Sequence, residues 1–508
     1  MARVGLHVLV AACCLATGWS AGAEETKPGS SYAEIRVVDE ATGRGVPLVE
    51  LETVNSLKFV TDNAGRVAFN EPGLMDREIF FSVKSHGYEV KKDGFGMAGV
   101  RIVPAAGKAS EIKIARKNLA ERLCRLTGEG LYRDTILLGH PVPLAESASP
   151  GLVAGQDSIQ ATIYRGKIYW LWGDTQQMKY PLGLFRMAGA TTPILDAKTD
   201  LTAGIAYEYF VDPKTRFARA MMPLADRPEG VVWISAVFVV PDQAGKEKLV
   251  GHYSRRKGLG DELEQGIAIY NDEKQIFESA KELPLTETWR RPNGHPIFWE
   301  EGGKRWLLFG SPSPNVRVPA TLADVVDAAK YEAYTCAKGE GPIDSAWRWQ
   351  KELLPVDSET EAKWVKSGKL KAEQARYYPA DASAPQERVT LHRGTVRWNA
   401  HRQKWILIAG QIYGRASFLG EVWYSEADSP LGPFPRAVKI ITHDRQTFYN
   451  VCHHDFLDRE GGRFVHLEGT YTNDFSNNPE RTPRYNYNQV LYRLDLDAAG
   501  LKVGQGLP

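Results

Sequence analysis

KIYWLWGD, residues 167–174, is an apolar and aromatic run that opens on a basic residue and reaches glycine six positions later. The pattern returns as KRWLLFGS at 304–311, KWILIAGQ at 404–411 and RFVHLEGT at 463–470. It returns once more with serine in place of glycine, as KLVGHYSR at 248–255. Ahead of four of these copies, with a turn between, lies a second strand-like segment: 158–164, 296–299, 394–398 and 455–457. That pairing is hairpin geometry. A lone hairpin cannot bury its own faces, so five of them between residues 150 and 496 predict radial packing around a channel, a five-bladed β-propeller. A large sandwich or jelly roll also uses many hairpins, but repeated strand endings are what radial repetition produces.

The basic positions are 81, 56, 100 and 59 residues apart, so insertions separate some blades. Residues 315–380 hold one, with a helix-like run at 322–331 and a charged stretch at 359–374 expected to form a lid or side helix. Upstream, residues 31–115 alternate short strands with turn residues such as Thr42-Gly43 and Asn63-Ala64-Gly65, the spacing of a sandwich. Residues 116–149 read as a linker leading into the propeller, with Leu119, Leu123 and Leu126 at helical spacing. The expected fold class is therefore all-β: an N-terminal immunoglobulin-like β-sandwich followed by a five-bladed β-propeller.

Residues 1–23 have the parts of a cleavable export signal: Arg3, an apolar run from Val4 to Leu15, and the small-residue site Ala21-Gly22-Ala23. The run is too short to span a bilayer, so an exported, periplasmic or extracellular protein is expected. Val10-Ala11-Ala12-Cys13 is an alternative acylation site. After cleavage the cysteines are Cys124, Cys336 and Cys452, an odd number without metal-ligand spacing. A net charge of +1 argues against nucleic acid or an anionic membrane as the partner.

VVDEATGRGVPLVELETV at 37–54, followed by TDNAGRVAF at 61–69, resembles the carboxypeptidase regulatory-like, transthyretin-like β-sandwich. The resemblance implies a spacer or docking module without chemistry of its own. VAGQDSIQATIYRGKIYWLWGDT at 153–175, EVWYSEADSPLGPF at 421–434 and NVCHHDFLDREGGRFVHLEGTY at 450–471 resemble the five-bladed propeller superfamily of glycoside hydrolases, which includes arabinanases and β-xylosidases. That resemblance implies a secreted enzyme that hydrolyses a polysaccharide or oligosaccharide, with a catalytic aspartate at the start of the first blade.

In a propeller the residues at the start of each inner strand converge on the channel mouth. Here these are Asp157, Glu229, His295, Arg393 and His453-His454-Asp455, with Asp174, Arg255, Ser311, Gln411 and Glu468 flanking the repeated glycine. Glycosidic cleavage needs one protonated and one ionised carboxyl group. Asp157 is the expected base, Glu229 and Glu468 are candidates for the acid, and Asp174 is a third carboxylate that tunes the pair. His295, Arg393, His454, Arg255, Gln411 and Trp172 are expected to contact substrate, and the arginines would suit an anionic glycan. Adjacent histidines on a strand face opposite ways, so a metal at His453 or His454 would need His295 or His392 from another blade. The chemistry requires no cofactor, and the donor types leave a structural calcium ion open. Two other classes make different demands: a polysaccharide lyase needs tyrosine or histidine with arginine at the mouth, and a binding propeller needs no carboxylate pair.

Overall fold

The computed structural model describes residues 31–501 except 179, 185–186, 259 and 339–345. The expected export signal lies outside the described residues. Among them no helix is long and apolar enough to cross a membrane.

Residues 33–116 form two four-stranded sheets. In one, the strand Ala33–Asp39 lies between Arg66–Phe69 and Ala109–Arg116; in the other, Glu50–Thr53 lies between Lys58–Val60 and Ile79–Lys84. Alternation decides the faces: Ala33, Ile35 and Val37 are buried, while Glu34 and Arg36 are only half-buried. The inward residues of both sheets, among them Ile35, Val37, Phe69, Leu51, Phe81 and Ile112, make one core.

Beyond a small three-stranded sheet of Val153–Gln156, Thr175–Gln177 and Tyr180–Leu184, five larger sheets follow, built of antiparallel neighbours except where Ala380–Asp381 runs parallel to Arg436–Ile441, and the five repeated segments lie second in the hairpins of successive ones. We call the sheets blades I to V. Their inner strands are Gln160–Tyr164, Val231–Pro241, Ile297–Glu301, Leu391–Asn399 and Thr447–His453. Each is followed by its repeat strand: Lys167–Trp172, Glu247–Arg256, Lys304–Gly310, Lys404–Gln411 and Phe464–Thr472. The inner strand of blade I packs on that of blade II, and the inner strand of blade IV on that of blade V. Short helices stand at Leu322–Val325, between two strands of blade III, and at Ser358–Lys366, after its last strand, the latter started by Asp357, whose side chain accepts from Thr360 N.

Two local expectations are corrected. Residues 455–457 are not the inner strand of blade V but a single helical turn beyond its end, so His453, His454 and Asp455 lie at the end of that strand and not at its start. The segment around Leu123 is not helical: Glu121–Arg125 is a strand that pairs antiparallel with Asn488–Asp495 and completes blade V. A chain segment that precedes blade I thus closes the ring. All five of its residues are buried, because blade V covers one edge and the N-terminal sheets cover the other. On that second edge Arg125 N donates to Asn63 Oδ1 and Asn63 Nδ2 donates to Arg125 O, both at 2.9 Å, while Arg44 Nη1 donates to Leu123 O at 2.9 Å. Leu48 and Val60 of the N-terminal sheets share a core with Val465, Leu467 and Tyr492 of blade V.

Candidate functional site

The inner strands begin around a basin of 400 Å³ lined by Asp157, Asp174, Trp233, Arg256, Arg291, Asn293, His295, Ser311, Arg393 and Asn450. It draws residues from all five blades. We call this end of the channel the front.

Asp157 precedes the inner strand of blade I and is fixed from several sides. Its Oδ2 accepts from the Tyr449 hydroxyl at 2.7 Å, and its Oδ1 accepts from Asp174 N at 2.9 Å. Its backbone is pinned too, since Gly173 N donates to Asp157 O at 2.8 Å. The repeated glycine of blade I then has a direct reason. A Cβ on Gly173 would stand 2.4 Å from Asp157 Oδ1, so the carboxylate occupies the space a side chain would fill. Next to it, Ser158 and Asn450 both adopt left-handed backbone conformations, at φ 55° and 52°, and Asn450 Nδ2 donates to Ser158 Oγ. Such conformations are uncommon for residues other than glycine and concentrate where a site over-determines its backbone.

Asp174, one residue past that glycine, is the second carboxylate of the basin. Its Oδ1 accepts from Trp233 Nε1 at 2.8 Å. Burial, with the neighbouring charge of Asp157, pushes its carboxyl up to about 6. Burial also raises Asp157, but the Tyr449 hydroxyl, a Tyr487 contact and the Asp174 amide all favour its ionised form. The two carboxyl groups thus sit side by side in unequal surroundings, the condition that separates an acid from a base.

Arginines ring the other side. Arg291 is anchored by Gln265 Oε1 at 2.8 Å, Ser235 Oγ at 3.1 Å and Glu262 Oε1 at 3.0 Å. Arg256 reaches the other oxygen of Glu262 at 3.4 Å. Arg393 is exposed at the mouth and makes no side-chain hydrogen bond or ion pair among the described residues. A second cavity of 500 Å³ shares Arg256, Arg291, Asn293, Ser311 and Arg393 with the basin and runs on to Ser358 and Glu359 of the side helix. Together they form a cleft longer than one pocket.

The structure brings Asp157, Asp174, His295, Ser311 and Arg393 together here, and places Glu229, Arg255, Gln411, Trp172, Glu468 and His454 elsewhere. Glu229 is exposed on the loop before blade II, and only its carbonyl is engaged, accepting from Arg255 Nη1 at 3.1 Å. Arg255 itself is tied to Glu264 Oε2 at 3.0 Å; its neighbour Arg256 takes the inward position, as alternation along the strand requires. Gln411 lines neither cavity of this cleft and accepts from Trp423 Nε1 at 2.7 Å. Trp172 is fully buried between strands, stacked at 5.3 Å on Tyr209, and fills the blade wedge. Glu468 and His454 face each other at 2.7 Å, both buried, toward the rear of the channel.

Trp233, Tyr449 and Asn293 escaped the sequence reading, whereas Arg256 and Arg291 belong to the pairs Arg255-Arg256 and Arg290-Arg291, whose guanidinium groups read as suited to an anionic glycan. Among the described residues no group of three or more His, Cys, Asp or Glu side chains is arranged to hold a metal ion.

No family model matches the sequence, and no curated protein matches it. Solved structures similar to the chain include an exo-β-1,3-galactanase from Phanerochaete chrysosporium, at 10% identity and TM-score 0.36, with 77% of this chain and 67% of that one covered. An exo-1,5-α-L-arabinanase from a bovine ruminal metagenomic library is similar at 11% identity and TM-score 0.34, covering 70% and 98%. An α-L-arabinofuranosidase from Clostridium thermocellum is similar at 12% identity and TM-score 0.30, covering 63% and 82%.

Proposed function

We propose that this protein is a glycan-active hydrolase, exported, in which Asp157 and Asp174 at the front mouth of a five-bladed propeller cleave a glycosidic bond, with the N-terminal sheets as an immunoglobulin-like docking module. The observation that carries the reading is the pair of adjacent carboxyl groups held in unequal surroundings at the floor of a cleft. Asp174, protonated to about pH 6, supplies the proton to the leaving oxygen. Asp157, whose carboxylate is held by the Tyr449 hydroxyl and the Asp174 amide, is assigned the ionised role and acts on the anomeric centre, directly or through water. Trp233 and Tyr449 hold the two groups in place.

The substrate side of the cleft is cationic. Glu262 answers Arg256 and Arg291, while among the described residues Arg393 makes no side-chain hydrogen bond, so a uronate or sulfate on the saccharide would complete its hydrogen bonding. The continuation past Ser311 toward Glu359 suits an oligosaccharide or polysaccharide more than a single sugar.

The same arginines, with the Tyr449 hydroxyl beside Asp157, favour a second reading, a lyase acting on a uronate-containing glycan. One assay separates the two: acidic and neutral polysaccharides are incubated with the protein and with Asp157→Asn, measuring reducing ends and absorbance of unsaturated sugars. Reducing ends without unsaturated product, lost in the folded variant, support hydrolysis. Unsaturated product assigns the lyase, and binding without product leaves a non-catalytic propeller.

A further inference from the structure

The inner strands end at a rear mouth, a cavity of 850 Å³ whose lining includes His295, Arg397, Cys452, His454 and Asp455. His295 lines the front basin as well, but the glycan reading gives no role to Cys452, His454 or Glu468. Cys452 Sγ lies 3.6 Å from His454 Nδ1 and 3.5 Å from His295 Nδ1. His454 Nε2 lies 2.7 Å from Glu468 Oε1, and the other oxygen of this fully buried carboxylate has no hydrogen-bond partner. A carboxylate in that position accepts a hydrogen bond from Nε2–H, which turns the Nδ1 lone pair toward the thiol. Nucleophile, base and orienting carboxylate therefore stand in sequence, the arrangement that activates a weak nucleophile.

Burial opposes a charge on His454, yet Cys452 and Glu468 raise it to about 10. All three described cysteines are buried, Cys452 in the same core cluster as Cys124, and Cys452 is the one of the three that lines this cavity. Burial pushes the Cys124 thiol up to about 12.

We propose that Cys452, His454 and Glu468 form a second reactive centre, a thiol activated toward small neutral electrophiles of the peroxide class that enter through the rear cavity. His454 Nδ1 holds the thiol proton. The thiolate attacks one oxygen of hydrogen peroxide, the O–O bond breaks and an S–O bond forms. The departing hydroxide takes the proton from Nδ1 and leaves as water. Thiol and peroxide become sulfenic acid and water, with sulfur oxidised by two electrons and the peroxide reduced by two.

The test uses the full chain and reads each cysteine by peptide mapping. Iodoacetamide alkylates Cys452 in the folded protein at least about tenfold faster than the same cysteine in the urea-unfolded chain at equal pH, whereas Cys124 and Cys336 react more slowly folded than unfolded. A thiol that is merely accessible cannot outrun its unfolded counterpart. Hydrogen peroxide followed by dimedone marks Cys452 ahead of the other two. His454→Gln, with a melting curve showing it folded, removes the folded-state enhancement. The proposal falls if folded Cys452 reacts no faster than unfolded, or if folded His454→Gln keeps the enhancement. Should that variant not fold, the comparison within the unaltered protein decides alone.

Discussion

A methyl group added at Gly173 would meet Asp157 Oδ1 at 2.4 Å, closer than such contacts allow, so the residue scale already contains a test. Gly173→Ala is expected to displace the carboxylate and cut glycan cleavage by about 10²-fold or more, as a 1 Å misplacement does, with the protein still folded by circular dichroism. Asp157→Asn keeps the hydrogen-bond shape but not the charge, and the expected loss is about 10³-fold or more in kcat. Asp174 gives a pH signature. With its carboxyl raised to about 6, cleavage should fall as pH rises through that value, and Asp174→Asn should abolish the alkaline limb together with most activity. The sign for stability follows. The fold favours the protonated group, so its contribution is complete below the ordinary aspartate value and is lost as pH rises through about 6. A melting temperature that fell between pH 4 and 7 in the parent but less steeply in Asp174→Asn would bear this out. Asp157 and Asp174 were legible as positions in the sequence because one precedes the inner strand of blade I and the other follows its repeated strand. Trp233 and Tyr449 were not, since each reaches the site from another blade. Glu468 and His454 were misplaced because strand alternation tells which face a residue takes, not which end of the channel its strand has reached.

The strand Glu121–Arg125 shows the same limit for elements. Leucines at 119, 123 and 126 match a helical period, but a strand buried on both faces loses the alternation that would identify it. Its partner, Asn488–Asp495, lies at the other end of the propeller sequence, where no local pattern points to it. The inner hairpins of blades I, III and IV, by contrast, were readable, since each pairs with its neighbour in sequence, while blade II showed only its repeat strand and the inner strand of blade V was placed too late, at 455–457. Leu123 is fully buried in the core it shares with Trp170, Trp172 and Leu491. Leu123→Ala is expected to cost about 2–5 kcal/mol, measured as a lower urea midpoint. Loss of that size confined to blade I or II would contradict the closing role.

At the scale of the whole molecule, the N-terminal sheets and blade V share a core and an edge, so they should unfold together. Calorimetry of the full chain is expected to give one cooperative transition, and Asn63→Ala to lower it, leaving Arg125 N and O without their partners at a cost of about 1–3 kcal/mol per group. Two resolved transitions, with Asn63→Ala silent, would show that the modules are thermodynamically separate. The sequence separated the two modules, but not their contact, which rests on side chains of turn residues meeting a backbone edge.

That edge also sets an order of events in time. When the chain is made from its N-terminus, the strand around Leu123 emerges with Arg44 and Asn63 already able to hold one side of it, while the strand that will occupy the other side follows roughly 360 residues later. At ordinary rates of synthesis that interval is about 20 to 70 s. Throughout it, the N-terminal sheets serve the unfinished ring as a chaperone built into the same polypeptide, keeping one half of the closing seam from pairing elsewhere.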